Sequence, residues 1–209
     1  DAWKVDVQGV KNPRTLSVAE LKTMGLDTVA MVLQCSGNGR GFFPSKPSGT
    51  LWTVGAAGCV VWSGVPMRAV VEALGGVAAG MKYMTSTGGE ILPEGLDPKS
   101  VIVERSVPAA AMEDALLAWE LNGEPIPLAH GGPLRLVVPG VQGVSWVKWL
   151  RRIEVGDQPW ATKDEAIHYI DLMPDGRHRQ YTSTQECKSV ITTPSGGQLL
   201  LDKGFYNIS

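Results

Sequence analysis

Apolar and polar side chains alternate along "WKVDVQGV", from Trp3 to Val10, and a period of two predicts a first strand. "LSVAELKTMG" shifts to helical spacing, with Ser17 at the N-cap, Glu20 at the capping-box position and Gly25 as the stop. "TVAMVLQC" is a β-branched apolar run and reads as a buried strand ending at Cys35. From Gly37 to Gly55 no period survives. The stretch is rich in Gly, Pro and Ser, so it is loop, and too long to be idle in a compact domain. Period returns in "VPMRAVVEALGG", a helix with a Gly stop, and in "MKYMTSTGGE", a strand leading into a turn. "PAAAMEDALLAWELNGEP", Pro108 to Pro125, predicts a strong helix closed by Asn122 and Gly123. "PLRLVVPG" and "VKWLRRIEVGD" read as strands around a Gly-containing turn. Beyond Trp160 the pattern weakens, and "KSVITTPSGGQLLL" starts new strands. These elements predict an α+β fold with a mixed sheet, a first domain over 1–185 and the start of a second over 186–209.

Composition narrows the classes. With 19 Lys and Arg against 21 Asp and Glu, the chain lacks the basic excess of a protein that coats nucleic acid. No apolar run reaches membrane-spanning length. The cysteines Cys35, Cys59 and Cys187 are odd in number and far apart, which gives no disulfide framework. No paired Cys or His spacing suggests a zinc ribbon or a covalent haem.

The candidate chemistry sits in "MVLQCSGNGRGFF", where a thiol opens a glycine loop and an arginine follows five residues later. The glycines superficially suggest a dinucleotide loop. That motif must open into a helix whose amides hold the pyrophosphate, and Pro44 and Pro47 forbid one here. A cysteine nucleophile would need a base, and the chain offers only His130, His168 and His178. A plain core cysteine at a strand end also fits. A thiolate metal ligand fits too, but one sulfur cannot fill a coordination sphere, so a bound cofactor would have to supply the rest.

"QCSGNGRGFF", "LWTVGAAGCVVWSGVPM", "LLAWELNGEPIPLAHGGPLRLVVPG" and "GVSWVKWLRRIEV", in that order, resemble the molybdopterin-binding domain of the sulfite oxidase family. The resemblance runs from about residue 3 to about residue 194. It implies a mixed-sheet α+β domain followed by an immunoglobulin-like dimerisation domain, whose start "KSVITTPSGG" resembles. It also implies the molybdenum cofactor, Mo-molybdopterin, with Cys35 as the protein's one ligand to the metal.

The remaining roles follow residue by residue from the same resemblance. Arg40 matches an arginine that reaches the anion pocket beside the metal; read alone it is a solvated loop charge. Trp52 matches an aromatic walling the substrate pocket, where composition alone suggests core. Tyr169, in "AIHYIDL", falls where the family has its active-site tyrosine. His130 and Arg135 match residues that grip the pterin and its phosphate, for which a guanidinium fork is suited. Lys148, with the backbone of Trp146 and Val147, matches a second contact on the phosphate side. Glu90 falls near a family aspartate that hydrogen-bonds the pterin. The family's upstream arginine and histidine have no counterpart here, and a further pocket arginine belongs to the second domain.

The activity so implied is oxidation of sulfite to sulfate, with electrons leaving one at a time for a separate cytochrome c. The expected setting is the periplasm, and the expected full-length assembly is a homodimer or heteromer. Two alternatives stand beside it. "KWLRRIEVGDQPW" and "DLMPDG" resemble the sulfane dehydrogenase molybdenum subunit, which would act on carrier-bound sulfur, whereas Trp52 and "GRGFF" resemble sulfite-oxidising members. A scaffold that has lost its cofactor is the alternative of another class.

Overall fold

A computed structural model describes residues 2–45 and 47–209. The chain forms strands β1 (Lys4–Gln8) and β2 (Arg14–Ser17), the single helical turn α1 (Val18–Leu21) and strand β3 (Asp27–Gln34). Strand β4 (Ala57–Pro66), helix α2 (Met67–Ala73), strand β5 (Tyr83–Thr87), the turn α3 (Pro98–Val101) and strand β6 (Glu104–Pro108) follow. Then come β7 (Leu116–Leu121), β8 (Glu124–Pro125), β9 (Arg135–Val137), β10 (Arg152–Gly156) and the short pair β11 (Asp171–Leu172) and β12 (His178–Arg179).

Two five-stranded sheets result. The first runs β2-β1-β10-β5-β6, with β1 and β10 parallel and its other pairs antiparallel. The second runs β3-β4-β7-β8, with β9 on β7, and is antiparallel throughout. The fold is therefore the expected mixed α+β. Val5, Val7, Met84 and Ile153 of the first sheet share one buried cluster with Trp62, Val65, Leu117 and Leu136 of the second. Local chemistry agrees at α1, where the Ser17 hydroxyl accepts from Glu20 N–H and the Glu20 carboxylate accepts from Ser17 N–H.

Three expectations are corrected. The helix predicted over 108–125 is instead a short 3₁₀ turn, Ala109–Met112, followed by strand β7 in the middle of the second sheet. Leu116 to Trp119 are all buried, so the strand carries no alternation to reveal it. Asn122 and Gly123 do not stop a helix. Both adopt positive φ, 52° and 83°, and join β7 to β8 as a two-residue hairpin turn. Strand β3 is a sheet edge with every second residue exposed through Val32, and so is not buried. The strands expected from Lys188 onward do not form: among the described residues 186–209 hold no regular element.

Candidate functional site

The loop after β3 is held by its own backbone. Cys35 N–H donates to Ala56 O (2.9 Å), Gly39 N–H to Thr53 O (2.6 Å) and Gly41 N–H to Trp52 O (2.8 Å). The Asn38 side chain accepts from Ala56 N–H at 3.0 Å, closing the returning half onto the outgoing one. The Cys35 sulfur accepts from Gly37 N–H at 3.4 Å.

Opposite lies a second set of turns. A 3₁₀ turn, Leu128–His130, ends on Gly131 at φ 99°, and a Cβ at Gly131 would stand 2.6 Å from Lys148 Cβ. Only glycine allows that approach. Another 3₁₀ turn, Gly143–Ser145, leads into Trp146, Val147 and Lys148. A Cβ at Gly143 would sit 2.8 Å from Gln34 O, so this turn abuts the end of β3, one residue before Cys35. Trp149 holds φ 50°, which costs a bulky residue about 1–3 kcal/mol. It is fastened by Nε1–H to Leu128 O (2.8 Å) and N–H to Gly131 O (3.0 Å).

Between the two sets is a cavity of about 750 Å³, lined by Cys35, Trp52, Glu90, His130, Arg135, Trp146, Val147, Lys148 and Tyr169 among others. Every site residue read from the sequence therefore meets in one place, except Arg40. The Arg40 guanidinium turns back onto its own loop, beside Gly37 and Gly49, and donates through Nη1 to Thr50 O at 3.1 Å. Of the histidines only His130 lines the cavity; His168 and His178 are exposed elsewhere. The cysteine-nucleophile alternative thus has one base within the site.

The groups lining the cavity have opposite needs. Arg135 is 6% exposed, donates through Nη1 to His130 O (2.7 Å), and has its guanidinium 5.3 Å from the centre of the Trp62 ring. Its Nε is buried with no partner. Burial, with no anion opposing it, pushes its pKa down to about 10. Lys148 is held below the usual ammonium range, first by burial and then by Arg135; its Nζ donates to Ala129 O at 3.2 Å. Two cations crowded together, one of them without a counter-ion, make a place for an anion. Glu90 presents the opposite need. Its carboxyl is pushed up by burial, and Oε2 is buried with no partner. Tyr169 is also pushed up, first by burial and then by the charge of Cys35.

An anionic ligand with hydrogen-bond donors of its own would satisfy these orphaned atoms: phosphate on Arg135 and Lys148, donors on Glu90. Among the described residues no three His, Cys, Asp or Glu side chains stand together as a metal cage. A metal at Cys35 must bring its other ligands with it. A phosphorylated pterin carrying its own sulfur donors meets all of these conditions.

Sequence reasoning missed three residues here. Arg105 and Glu165 form an ion pair (3.2 Å) whose side chains are both fully buried, below Tyr169. The signal was an arginine set in the apolar run "VIVERSVP", since buried charge must be paired. Lys188 reaches back from the C-terminal segment and donates to Ser36 O (2.7 Å) and Asn38 O (2.9 Å). Nothing in the local sequence marks that contact.

Residues 1–163 match the family described as "Oxidoreductase molybdopterin binding domain". The chain is 34% identical over 220 residues to the nitrate reductase [NAD(P)H] of Hordeum vulgare, covering 95% of this chain and 24% of that protein. It is 33% identical over 165 residues to the mitochondrial sulfite oxidase of Homo sapiens, covering 74% of this chain and 29% of that protein. The crystal structure of the sulfane dehydrogenase SoxCD from Paracoccus pantotrophus superposes with a TM-score of 0.78 at 31% identity, over 92% of this chain and 48% of that one. The chain thus spans about a quarter of the length of these curated relatives.

Proposed function

The chain belongs to the oxidoreductase molybdopterin-binding domain family and carries the molybdenum cofactor, and we propose that with it the protein oxidises sulfite to sulfate. The observation that supports this most is the single cavity lined by both Cys35 and the unpaired Arg135. In this reading Arg135 and Lys148 hold the phosphate, Glu90 accepts from the pterin, His130 and the backbone of Trp146 and Val147 frame it, and Cys35 is the metal's protein ligand. When bound, the cofactor supplies two-electron oxygen-atom transfer.

The chain's own residues would do the rest. Trp52 walls the reacting end and narrows it toward a small substrate. Tyr169, with its phenol kept neutral by burial, donates a hydrogen bond to an oxygen at the reacting centre. Arg40 keeps the Cys35 loop closed by its bond to Thr50 O, and its fixed charge favours an anion nearby. Electrons pass singly to a separate cytochrome c in the periplasm. Residues 186–209 begin a second, immunoglobulin-like unit through which the full-length protein associates. No described helix is long and apolar enough to cross a membrane.

The likeness to SoxCD favours a second reading, sulfane oxidation on a carrier-bound sulfur, and the likeness to nitrate reductase favours a third, nitrate reduction. Steady-state assays of the loaded protein separate the three: sulfite with cytochrome c, a carrier-bound persulfide with the same acceptor, and nitrate with a reduced dye. Rapid turnover of free sulfite is expected. Turnover of only the persulfide or only nitrate would overturn the proposal.

A further inference from the structure

Arg105 leaves β6 beneath the cavity and is 1% exposed. Its guanidinium ties together three separate pieces of chain. Nη1 lies 3.2 Å from Glu165 Oε2 and donates to Asp164 O at 3.2 Å, both in the π-helical turn Asp164–His168 that ends at Tyr169. Nη2 donates to Thr182 O (2.8 Å), and the Thr182 hydroxyl donates to Tyr169 O (3.0 Å). Nε donates to Ser145 Oγ (3.3 Å), in the turn that leads into Trp146 to Lys148. Its Cζ lies 5.0 Å from the centre of the Tyr169 ring, within cation–π range. Tyr169 N–H is itself bonded to Asp164 O at 3.0 Å, the carbonyl that Arg105 also holds. Tyr169 is thus gripped through its backbone N–H, its carbonyl and its ring face by one buried side chain and that side chain's partners.

Stability alone does not account for such a pair. A buried ion pair is often no better for folding than apolar side chains of similar volume, because both charges must leave water. What apolar side chains could not supply is direction: five donors in a plane, fixed toward a carbonyl, a carboxylate and an aromatic face. Glu165 is fixed in turn, its Oε1 accepting from Ser106 N–H at 2.8 Å.

We propose that Arg105, with Glu165, is a positioning residue for Tyr169, holding the phenol at the reacting end of the cavity without touching substrate or cofactor. The kinetic part rests on the reading given under Proposed function; the geometric part does not.

The test replaces the pair by apolar residues of similar volume, Arg105→Met with Glu165→Leu, and adds Arg105→Lys and Glu165→Gln as conservative variants. A fluorotyrosine placed at position 169 reports its surroundings by ¹⁹F resonance in both cofactor-free and loaded protein. The double variant should fold and retain molybdenum, while its fluorine line shifts or broadens. With sulfite its kcat should fall about tenfold to a hundredfold, as for a reacting group displaced by about an ångström, while KM moves little. Arg105→Lys should recover part of the kcat and Glu165→Gln should show a smaller loss. A fluorine line unmoved in the double variant, or an unchanged kcat, would overturn the proposal. So would loss of molybdenum with the fluorine line in place, which would put the action of Arg105 on the Ser145 turn instead. Should the double variant not fold, the same comparison is read in Glu165→Gln, which keeps the shape and removes the charge. If the loaded wild type ignores sulfite, the functional reading fails while the fluorine comparison still decides the role of Arg105.

Discussion

On one wall of the cavity Arg135, Trp146 and Val147 are 6%, 2% and 1% exposed; on the other, Trp52 is 42% exposed and Cys35 is only partly buried. The first wall consists of a strand and tight turns that share the buried cluster of both sheets. The second is a glycine loop closed by backbone hydrogen bonds and by two long side chains, Arg40 and Lys188. The wall that would hold the cofactor is built as core, and the wall that would carry the chemistry is built as surface. A packed core sets the position of an unpaired guanidinium and leaves it little freedom to relax. A loop lets a sulfur and an aromatic ring approach a ligand closely, at the cost of needing clasps.

Four sets of substitutions would break or sharpen that contrast. Cys35→Ser removes the proposed protein ligand to the metal and should lower turnover at least about a thousandfold, or about 4 kcal/mol of barrier, while leaving the fold intact. Cys59→Ser, on the exposed face of β4, is the control and should change neither turnover nor molybdenum content. Comparable turnover in the two variants would remove Cys35 from the chemistry.

Arg135→Met should act with opposite signs on the two states. Cofactor affinity falls about tenfold to a hundredfold, the worth of one hydrogen bond to a charged group. The cofactor-free protein becomes more stable, because a buried cation without a counter-ion has gone. Pterin titration and thermal melts read the two effects. A variant that melts earlier and binds normally would make Arg135 structural only.

Arg40→Ala should loosen the loop without emptying the site. Amide exchange over 36–55 should quicken and kcat should drop about tenfold, with molybdenum content unchanged. Lys188→Met should do the same more weakly, since Lys188 is exposed where Arg40 is partly buried. Loss of molybdenum in either variant would show that the loop grips the cofactor as strongly as the core wall does.

The smallest effect concerns pH. The Glu90 carboxyl has a higher pKa folded than unfolded, so its contribution favours folding fully below about 4.5 and is lost as pH rises through the raised value. Glu90→Gln should flatten that decline in the cofactor-free protein, by less than about 1 kcal/mol because the group is half-buried and screened. Glu165, whose carboxyl burial also pushes up, should still titrate in that variant. An unaltered pH–stability curve would mean that the Glu90 carboxyl is not strained by its burial.

The same contrast governs what could be read from sequence. Short-range rules held where structure is local: Ser17 and Glu20 make the capping box they encode. The residues from Cys35 to Tyr169 that line one cavity had been grouped by the family resemblance, not by any local rule. Local rules failed where tertiary contacts decide. "AMEDALLAWEL" has helix-forming composition, yet Leu116 to Trp119 lie buried within a sheet, which overrides propensity and erases the two-residue period. Asn122-Gly123 was the usable clue, a strong hairpin signal that a helix stop can imitate. The bond of Arg40 to Thr50 O was not legible, because a loop carbonyl is marked by no motif. Arg105 was missed because only the fold brings Glu165 and Tyr169 to it.

The seating of the metal on the Cys35 sulfur is tested most directly by molybdenum-edge X-ray absorption on loaded wild-type and Cys35→Ser protein. The variant should show one sulfur neighbour fewer around molybdenum, with metal content retained by Arg135 and Lys148. An identical sulfur count in the two proteins would contradict the assignment of Cys35 as the ligand.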